Sequence, residues 1–183
     1  MPAEPGITLR NAFNGETFIF PDDPGVSDVT RFDVLLEPGG SGGGNALRHV
    51  HPQAEERFTV RAGCLVVVIA GEEHRLAAGQ SAVVPRGAPH FFRNGGGDVA
   101  EFTVAFAPAQ QHRRFFMAFA ALAERRPGWF SAQGDSHLLL IALHLHRFAD
   151  HLYLAGPPVW LQKLAFALLA PMARLCGYRS IDP

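Results

Sequence analysis

Two short segments of the chain carry four side chains of the kinds that bind metal ions. His49 and His51 alternate along a predicted strand, so both imidazoles lie on one face, about 7 Å apart along the backbone. A proline then favours a break in the chain, and Glu56 and His90 belong to two further predicted strands. A small β-barrel could bring these four side chains together around one ion. Three imidazoles and one carboxylate suit divalent Fe, Mn, Ni, Cu or Zn, and the donor types alone do not choose among them.

The strands that must position these groups show an alternation of period two. Glu56 shares a face with two apolar residues, and His90 shares a face with Phe92. The predicted inward-facing apolar residues are Phe58, Val60, Phe92, Phe102, Val104 and Phe106. A cavity lined in this way is apolar apart from its metal ligands. It favours an aromatic, polyketide-like or other largely apolar small molecule over a free sugar, which requires several aimed polar groups.

Both segments resemble the two signature motifs of the cupin superfamily. The motifs read Gly43-x5-His49-x-His51-x4-Glu56-x6-Gly63 and Gly79-x5-Pro85-x-Gly87-x2-His90-x3-Asn94. The resemblance covers about residues 40–94, and flanking strands extend it to about 110. It implies a mainly β fold, a double-stranded β-helix (cupin or jelly-roll) barrel. It also implies that one divalent transition metal is held by His49, His51, Glu56 and His90.

Glu55 is the alternative to Glu56 as the carboxylate ligand. The family tolerates three or four residues between the second histidine and the glutamate, but only Glu56 stands seven residues before Gly63. We therefore favour Glu56. It is also the predicted catalytic residue, because a carboxylate ligand that detaches from a metal can accept a proton.

The resemblance implies a dioxygenase-like, metal-dependent oxidoreductase that acts on a largely apolar small molecule. Two alternatives remain at this point. One is a non-catalytic binding or sensing module in which the metal is structural, and the other is a metal-assisted isomerase or cyclase, which needs no oxygen.

The bulk composition limits the other classes of function. A chain of 183 residues and 19.9 kDa suits one domain with an appendage, and a net charge of −1 provides no basic field for nucleic acid. Cys64 and Cys176 are too few for a disulfide framework. The first five residues do not resemble a secretory signal, so we expect a cytoplasmic protein.

Near residue 110 the sequence pattern changes from one typical of short strands to one typical of helices. Before it, ten short strands are predicted, and after it three helices: 113–126, a second from 135 or 136 to about Leu154, and a third from 159 to about 175 that Pro171 should kink or end. We predict a barrel over residues 1–110 and a helical extension over 111–183, packed on the barrel or on a partner subunit of a homodimer.

The second and third predicted helices are apolar on more than one face. Their charged residues argue against a transmembrane span. Three interpretations remain: packing against the barrel or a partner, a lid over the barrel mouth, or contact with a membrane surface. His137, His144 and His151 recur every seven residues, about 10.5 Å apart on a helix, too far to share an ion. We expect hydrogen bonds of His146 with Asp150 and of Arg147 with His151 instead.

Overall fold

The computed structural model describes residues 6–22, 28–41, 47–131 and 134–180. Gly43 of the first motif, the predicted strand start at Ala46 and the first five residues lie outside these ranges. The described strands are β1 (Ile7–Asn11), β2 (Glu16–Phe20), β3 (Thr30–Leu36), β4 (His49–Val50), β5 (Glu55–Ala62), β6 (Cys64–Ile69), β7 (Glu72–Ala77), β8 (Ser81–Val84), β9 (His90–Asn94), β10 (Ala100–Ala107) and β11 (Tyr153–Leu154). The helices are α1 (His112–Arg125), a 3₁₀ turn (Pro127–Trp129), α2 (Leu138–Arg147) and α3 (Val159–Leu175).

Alternating apolar residues give these strands one buried face. In β10 every second residue is buried, beginning with Ala100 and ending with Phe106, and β5 buries Glu56 together with Phe58 and Val60. All six predicted inward-facing residues belong to the hydrophobic core or pack against it. Since a strand turns successive side chains to opposite faces, this pattern fixes which face of each strand meets the core.

The described strands form two hydrogen-bonded sheets. One has the order β1-β2-β3-β10-β5-β8, and the other has the order β11-β4-β9-β6-β7. The two sheets make a β-sandwich and, within the described ranges, do not close into one barrel. The predicted fold class, mainly β with C-terminal helices, is confirmed.

Gly63 allows the close turn between β5 and β6. Its φ is +72°, and a Cβ atom there would lie 2.5 Å from the carbonyl oxygen of Val99. Any other residue would therefore meet both left-handed strain and a backbone clash. Gly79, in the turn between β7 and β8, also has a positive φ, of +85°.

The second predicted helix is shorter in the structure than in the sequence analysis. It ends at Arg147 instead of continuing to about Leu154. Asp150 adopts a φ of +66°, which breaks the helical path, and the chain then returns to the sheet as β11. Pro171 lies inside α3 and does not end it.

β11 adds a strand to the sheet that carries two of the predicted ligands. Leu154 pairs with His49, and Ala155 N–H donates to Arg48 O at 2.9 Å. Buried Gln162 of α3 holds this segment: its side chain accepts from Leu154 N and donates to the carbonyls of Leu154 and Pro157, at 2.8–2.9 Å. The helical region is thereby joined to the β-sandwich through its sheet.

The helices pack in two layers and leave one apolar face open. α1 packs on β1, and α2 packs on α3. The exposed apolar residues of α3 are Trp160, Leu161, Leu164, Leu168, Met172 and Leu175. Within the described ranges, each helix is too short or too polar to cross a bilayer.

Candidate metal centre

Three strands, drawn from both sheets, bring the four predicted ligands to one point. His49 on β4 pairs directly with His90 on β9, His51 follows β4 by one residue, and Glu56 reaches in from β5 of the other sheet. One donor atom from each residue lies within 4.8 Å of all the others. His51, Glu56 and His90 are buried, and His49 is half-buried. The arrangement is compact enough to surround a single ion.

Backbone carbonyls set the orientation of all three imidazoles. The Nδ1 atoms of His49, His51 and His90 lie 2.7, 2.6 and 3.0 Å from the carbonyl oxygens of Leu47, His151 and Ala88, respectively. Because a carbonyl oxygen only accepts, Nδ1 is the protonated nitrogen of each ring. Each Nε2 then presents a lone pair, which is how histidine binds a metal.

The atoms that meet at the centre lack ordinary partners. His90 Nε2 and His51 Nε2 lie 2.7 and 3.5 Å from Glu56 Oε2. Despite these short separations, nothing in the described part of the chain gives any of the three atoms a well-formed hydrogen bond. Buried polar atoms without partners are rare, and donors that converge in this way fit a divalent transition metal. The cluster is therefore able to hold a metal.

The charges of the cluster also suit a cation. Burial would raise the pKa of Glu56, but the adjacent imidazoles of His51 and His90 outweigh it and hold that pKa well below its usual range. Burial, together with the neighbouring rings of His90 and His51, lowers the pKa of His49. Burial opposes the proton on His90, yet the Glu56 carboxylate raises its pKa. An ionised carboxylate beside three imidazole nitrogens is a donor set that suits a divalent cation.

Glu55 lies outside the cluster. Its side chain is 45% exposed and approaches Arg57 at 3.9 Å, on the opposite face of β5. Because successive side chains of a strand point to opposite faces, Glu55 and Glu56 lie on opposite sides of β5. The structure thus brings Glu56, and not Glu55, to the three histidines.

A cavity of about 140 Å³ opens onto the cluster. His49 and Glu56 form part of its wall. The apolar wall combines Phe18 and Phe92 of the β-sandwich with Phe115, Phe116, Phe119, Ile141, Leu145 and Leu152 of the helical region. Of the three interpretations of the second and third helices, this lining supports a cover over the mouth of the sandwich for α2, which forms it together with α1. α3 contributes none of the lining residues.

Sequence reasoning missed polar groups in the same cavity. They are Asn14, Glu16, Ser41 and His144. Glu16 accepts from Ser41 Oγ and, at 3.4 Å, from Asn11 Nδ2, and burial raises its pKa to about 7. The expectation that the cavity is apolar apart from the metal ligands is therefore wrong. The alternation of Glu16 with Phe18 and Phe20 along β2 was a signal that this carboxyl faces inward.

Two further histidines lie buried beside the cluster. The His112 ring stacks between Phe106 and His151, with centroids 3.9 and 3.8 Å away, and it lies 5.2 Å from the ring of His51. One of the pairings expected for the second helix differs from that observed. Asp150 bonds Lys163 at 2.6 Å, while His146 is exposed. Arg147 lies over the ring of Phe148, with its guanidinium carbon 5.6 Å from the ring centroid.

Parts of the chain are similar to a known family and to known proteins. Residues 32–106 match the family described as the Cupin domain. A quercetin 2,3-dioxygenase of Bacillus subtilis (strain 168) is 31% identical over 99 residues, which are 51% of this chain and 29% of that protein. Germin-like protein 3-8 of Oryza sativa subsp. japonica is 43% identical over 100 residues, 52% of this chain and 41% of that protein. The chain thus matches less than half the length of either relative.

Among solved structures, the sugar phosphate isomerase of the cupin superfamily from Silicibacter pomeroyi DSS-3 is similar. The similarity covers 60% of this chain and 73% of that chain, at 30% identity and a TM-score of 0.48.

Proposed function

From the premise that the chain belongs to the cupin superfamily, we propose that it is a dioxygenase-like, metal-dependent oxidoreductase that acts on a largely apolar small molecule. One observation carries the proposal: a cluster of three imidazoles and one carboxylate opens directly onto a mostly apolar cavity. A purely structural ion has no need of such a cavity. The name of the Bacillus subtilis relative supports the dioxygenase class.

His49, His51, Glu56 and His90 are the proposed ligands of one ion of Fe, Mn, Ni, Cu or Zn. When bound, the ion would supply Lewis acidity and, if it is redox-active, the chemistry that activates dioxygen. The protein itself fixes the orientation of the imidazole rings. The three backbone carbonyls hold the imidazoles in place, and no ring has to reorganise before it binds.

Glu56 is the proposed proton acceptor. It belongs both to the cluster and to the cavity wall, so its carboxylate lies beside any bound substrate. Its lowered pKa keeps it ionised at neutral pH. The phenylalanine rings around the cavity exclude water, which strengthens every charge interaction at the reacting atoms.

The size of the cavity limits the substrate. A cavity of about 150 Å³ holds one benzene ring, and this cavity measures about 140 Å³. We therefore propose a substrate built on a single ring, which α1 and α2 cover once it is bound.

Metal analysis of single-site variants tests the ligand set. We expect His90→Ala and His49→Ala to lose the metal while the chain stays folded. His74→Ala, which changes an exposed histidine on β7, is the matched control. Elemental analysis and circular dichroism of each purified protein measure both properties. Wild-type metal content in His90→Ala would contradict the assignment.

Oxygen uptake tests the reaction class. Metal-loaded protein is mixed with single-ring catechols in air and under argon, and both oxygen loss and product are measured. The proposal predicts that turnover requires oxygen. Equal turnover under argon would favour an isomerase or cyclase, and tight binding without any turnover would favour a sensing module.

We also propose a homodimer. The exposed apolar face of α3 provides a surface that a second copy can bury. Light scattering should give twice the 19.9 kDa of the chain, and a monomeric mass would exclude this assembly.

A further inference from the structure

His144 is a buried polar side chain without a partner in the cavity wall. It lies on α2, is 2% exposed, and lines the same cavity as His49 and Glu56. Both of its ring nitrogens lack a hydrogen bond of acceptable geometry within the described residues, although the Phe115 carbonyl is close enough to favour its protonated form. An unpaired buried donor or acceptor destabilises a fold. Such a group points to a ligand.

The ring neighbours of His144 are aromatic, and the cavity whose wall it forms is one direction from which a polar partner can come. The rings of Phe115, Phe148 and Phe119 lie 4.8, 5.0 and 5.7 Å from its own, measured between centroids. These neighbours offer no polar side-chain atom. Among the described ring contacts, His144 touches no histidine of the metal cluster, so it acts on another part of the ligand.

The other polar groups of the cavity differ from His144 because they already have partners. Both oxygens of Glu16 are engaged, one by Ser41 and the other by Asn11. A ligand that bonded Glu16 would have to displace these contacts. His144 offers its hydrogen bonds without any such exchange.

The chemistry of a neutral imidazole defines the matching group. Burial lowers the pKa of His144 to about 3, so the ring is uncharged at neutral pH. It then carries one N–H donor and one acceptor nitrogen. A hydroxyl group, which both donates and accepts, is its natural complement. A carboxylate or an ammonium group would bring an unpaired charge into an apolar wall.

We propose that His144 is a specificity-determining residue that binds a neutral hydroxyl group of the substrate, at a position remote from the part that faces the metal. This inference rests on the proposed function, because it assumes a single-ring ligand held at the metal cluster. It narrows the substrate class to a hydroxyl-substituted ring with an otherwise apolar body.

A pair of probes of nearly equal shape tests the inference. 3,4-Dihydroxybenzyl alcohol and 4-ethylcatechol differ in that a hydroxyl replaces a methyl group on the side chain. Binding of each to the zinc-loaded full chain is measured by titration calorimetry, because zinc has no redox chemistry that would consume the probes. The observable is the ratio of the two dissociation constants.

In the wild type we expect the alcohol to bind more tightly. In His144→Phe and His144→Leu the preference should fall on the order of ten- to a hundredfold, the effect of one lost hydrogen bond in a buried site. Two apolar replacements are used so that either one that folds decides the result. His144→Gln, which keeps a donor and an acceptor, should retain part of the preference, and His146→Phe, on the exposed side of α2, should retain all of it.

The outcomes separate this inference from the proposed function. An unchanged ratio in both apolar variants would overturn the role of His144 while leaving the metal site intact. If neither probe binds the zinc-loaded wild type, or if both bind equally well without zinc, the proposed function fails first.

Discussion

The four-residue cluster and the other buried polar groups around it contain the same residue types, histidine and glutamate, but differ in the partners that these side chains have. Each histidine of the cluster has a backbone carbonyl at Nδ1 and a free Nε2 aimed at a common point. His112 and His144 lack a partner at both nitrogens within the described residues, and aromatic rings surround them. Burial lowers the pKa of His144 to about 3 and that of His112 to about 2. In the cluster a backbone carbonyl orients each imidazole, whereas His112 and His144 are buried as neutral aromatic rings.

The two buried glutamates repeat the contrast. Glu56 lies against two imidazoles and keeps a low pKa, whereas Glu16 has only neutral partners and a pKa raised by burial. His151 joins the two regions, because its carbonyl anchors His51 while its ring stacks on His112.

The same substitution at two adjacent rings should have opposite results, and this is the largest effect we expect. His51→Phe removes an anchored ligand and should weaken metal binding by more than about a hundredfold, beyond the effect of outer residues. His112→Phe, only 5.2 Å away, should leave the metal content unchanged. Elemental analysis after dialysis against a weak chelator distinguishes them. Loss of metal from both variants would remove the distinction between anchored and packed histidines.

Glu16→Gln should change how stability depends on pH. Below pH 4.5 the carboxyl is protonated in both the folded and the unfolded chain, and between 4.5 and about 7 the unfolded chain ionises first. The free energy of unfolding of the wild type should therefore fall as pH rises through this window, by up to about 3 kcal/mol from this group. Urea denaturation at pH 5 and pH 8 measures the difference.

The Glu16→Gln variant should lack this decrease, and Glu37→Gln, at an exposed position, is the control. If the difference between Glu16→Gln and the wild type is the same at both pH values, Glu16 does not titrate in the way its burial implies.

Gln162→Leu tests the link between the helical region and the cluster. It deletes three hydrogen bonds that hold β11, so we expect a loss of about 1–2 kcal/mol in stability. Metal affinity should fall by about tenfold, because the carbonyl that anchors His51 lies two residues before β11. Thermal melts and competitive chelator titrations report the two effects, with exposed Gln80→Leu for comparison.

The strands and the cluster were predictable because their signals are local. Short strand-like stretches between clusters of Gly, Pro and Asp located the ten strands before residue 110, within a few residues where the structure describes them. Motif spacing selected the four residues that the structure brings together. The spacing sufficed because each of these residues lies on or beside a strand whose buried face the apolar neighbours already determine.

The connection through β11 had no local signal. Tyr153 and Leu154 form a strand of only two residues, and their partners lie about 100 positions earlier in the chain. Apolar residues on several faces of the helices fit many packings equally well. The same ambiguity concealed His144, whose place in the cavity wall depends on how α2 meets α1. The predicted boundary near residue 110 stays a prediction.

The carbonyl that orients His51 belongs to a residue 100 positions further along the chain. At synthesis rates of about 5–20 residues per second, roughly 5 to 20 s separate the two on the ribosome. During that interval the nascent sandwich has an unpaired edge at β4 and one imidazole free to rotate. Under the proposed function, tight metal binding would therefore follow the synthesis of His151, because only then is the ring of His51 held in place.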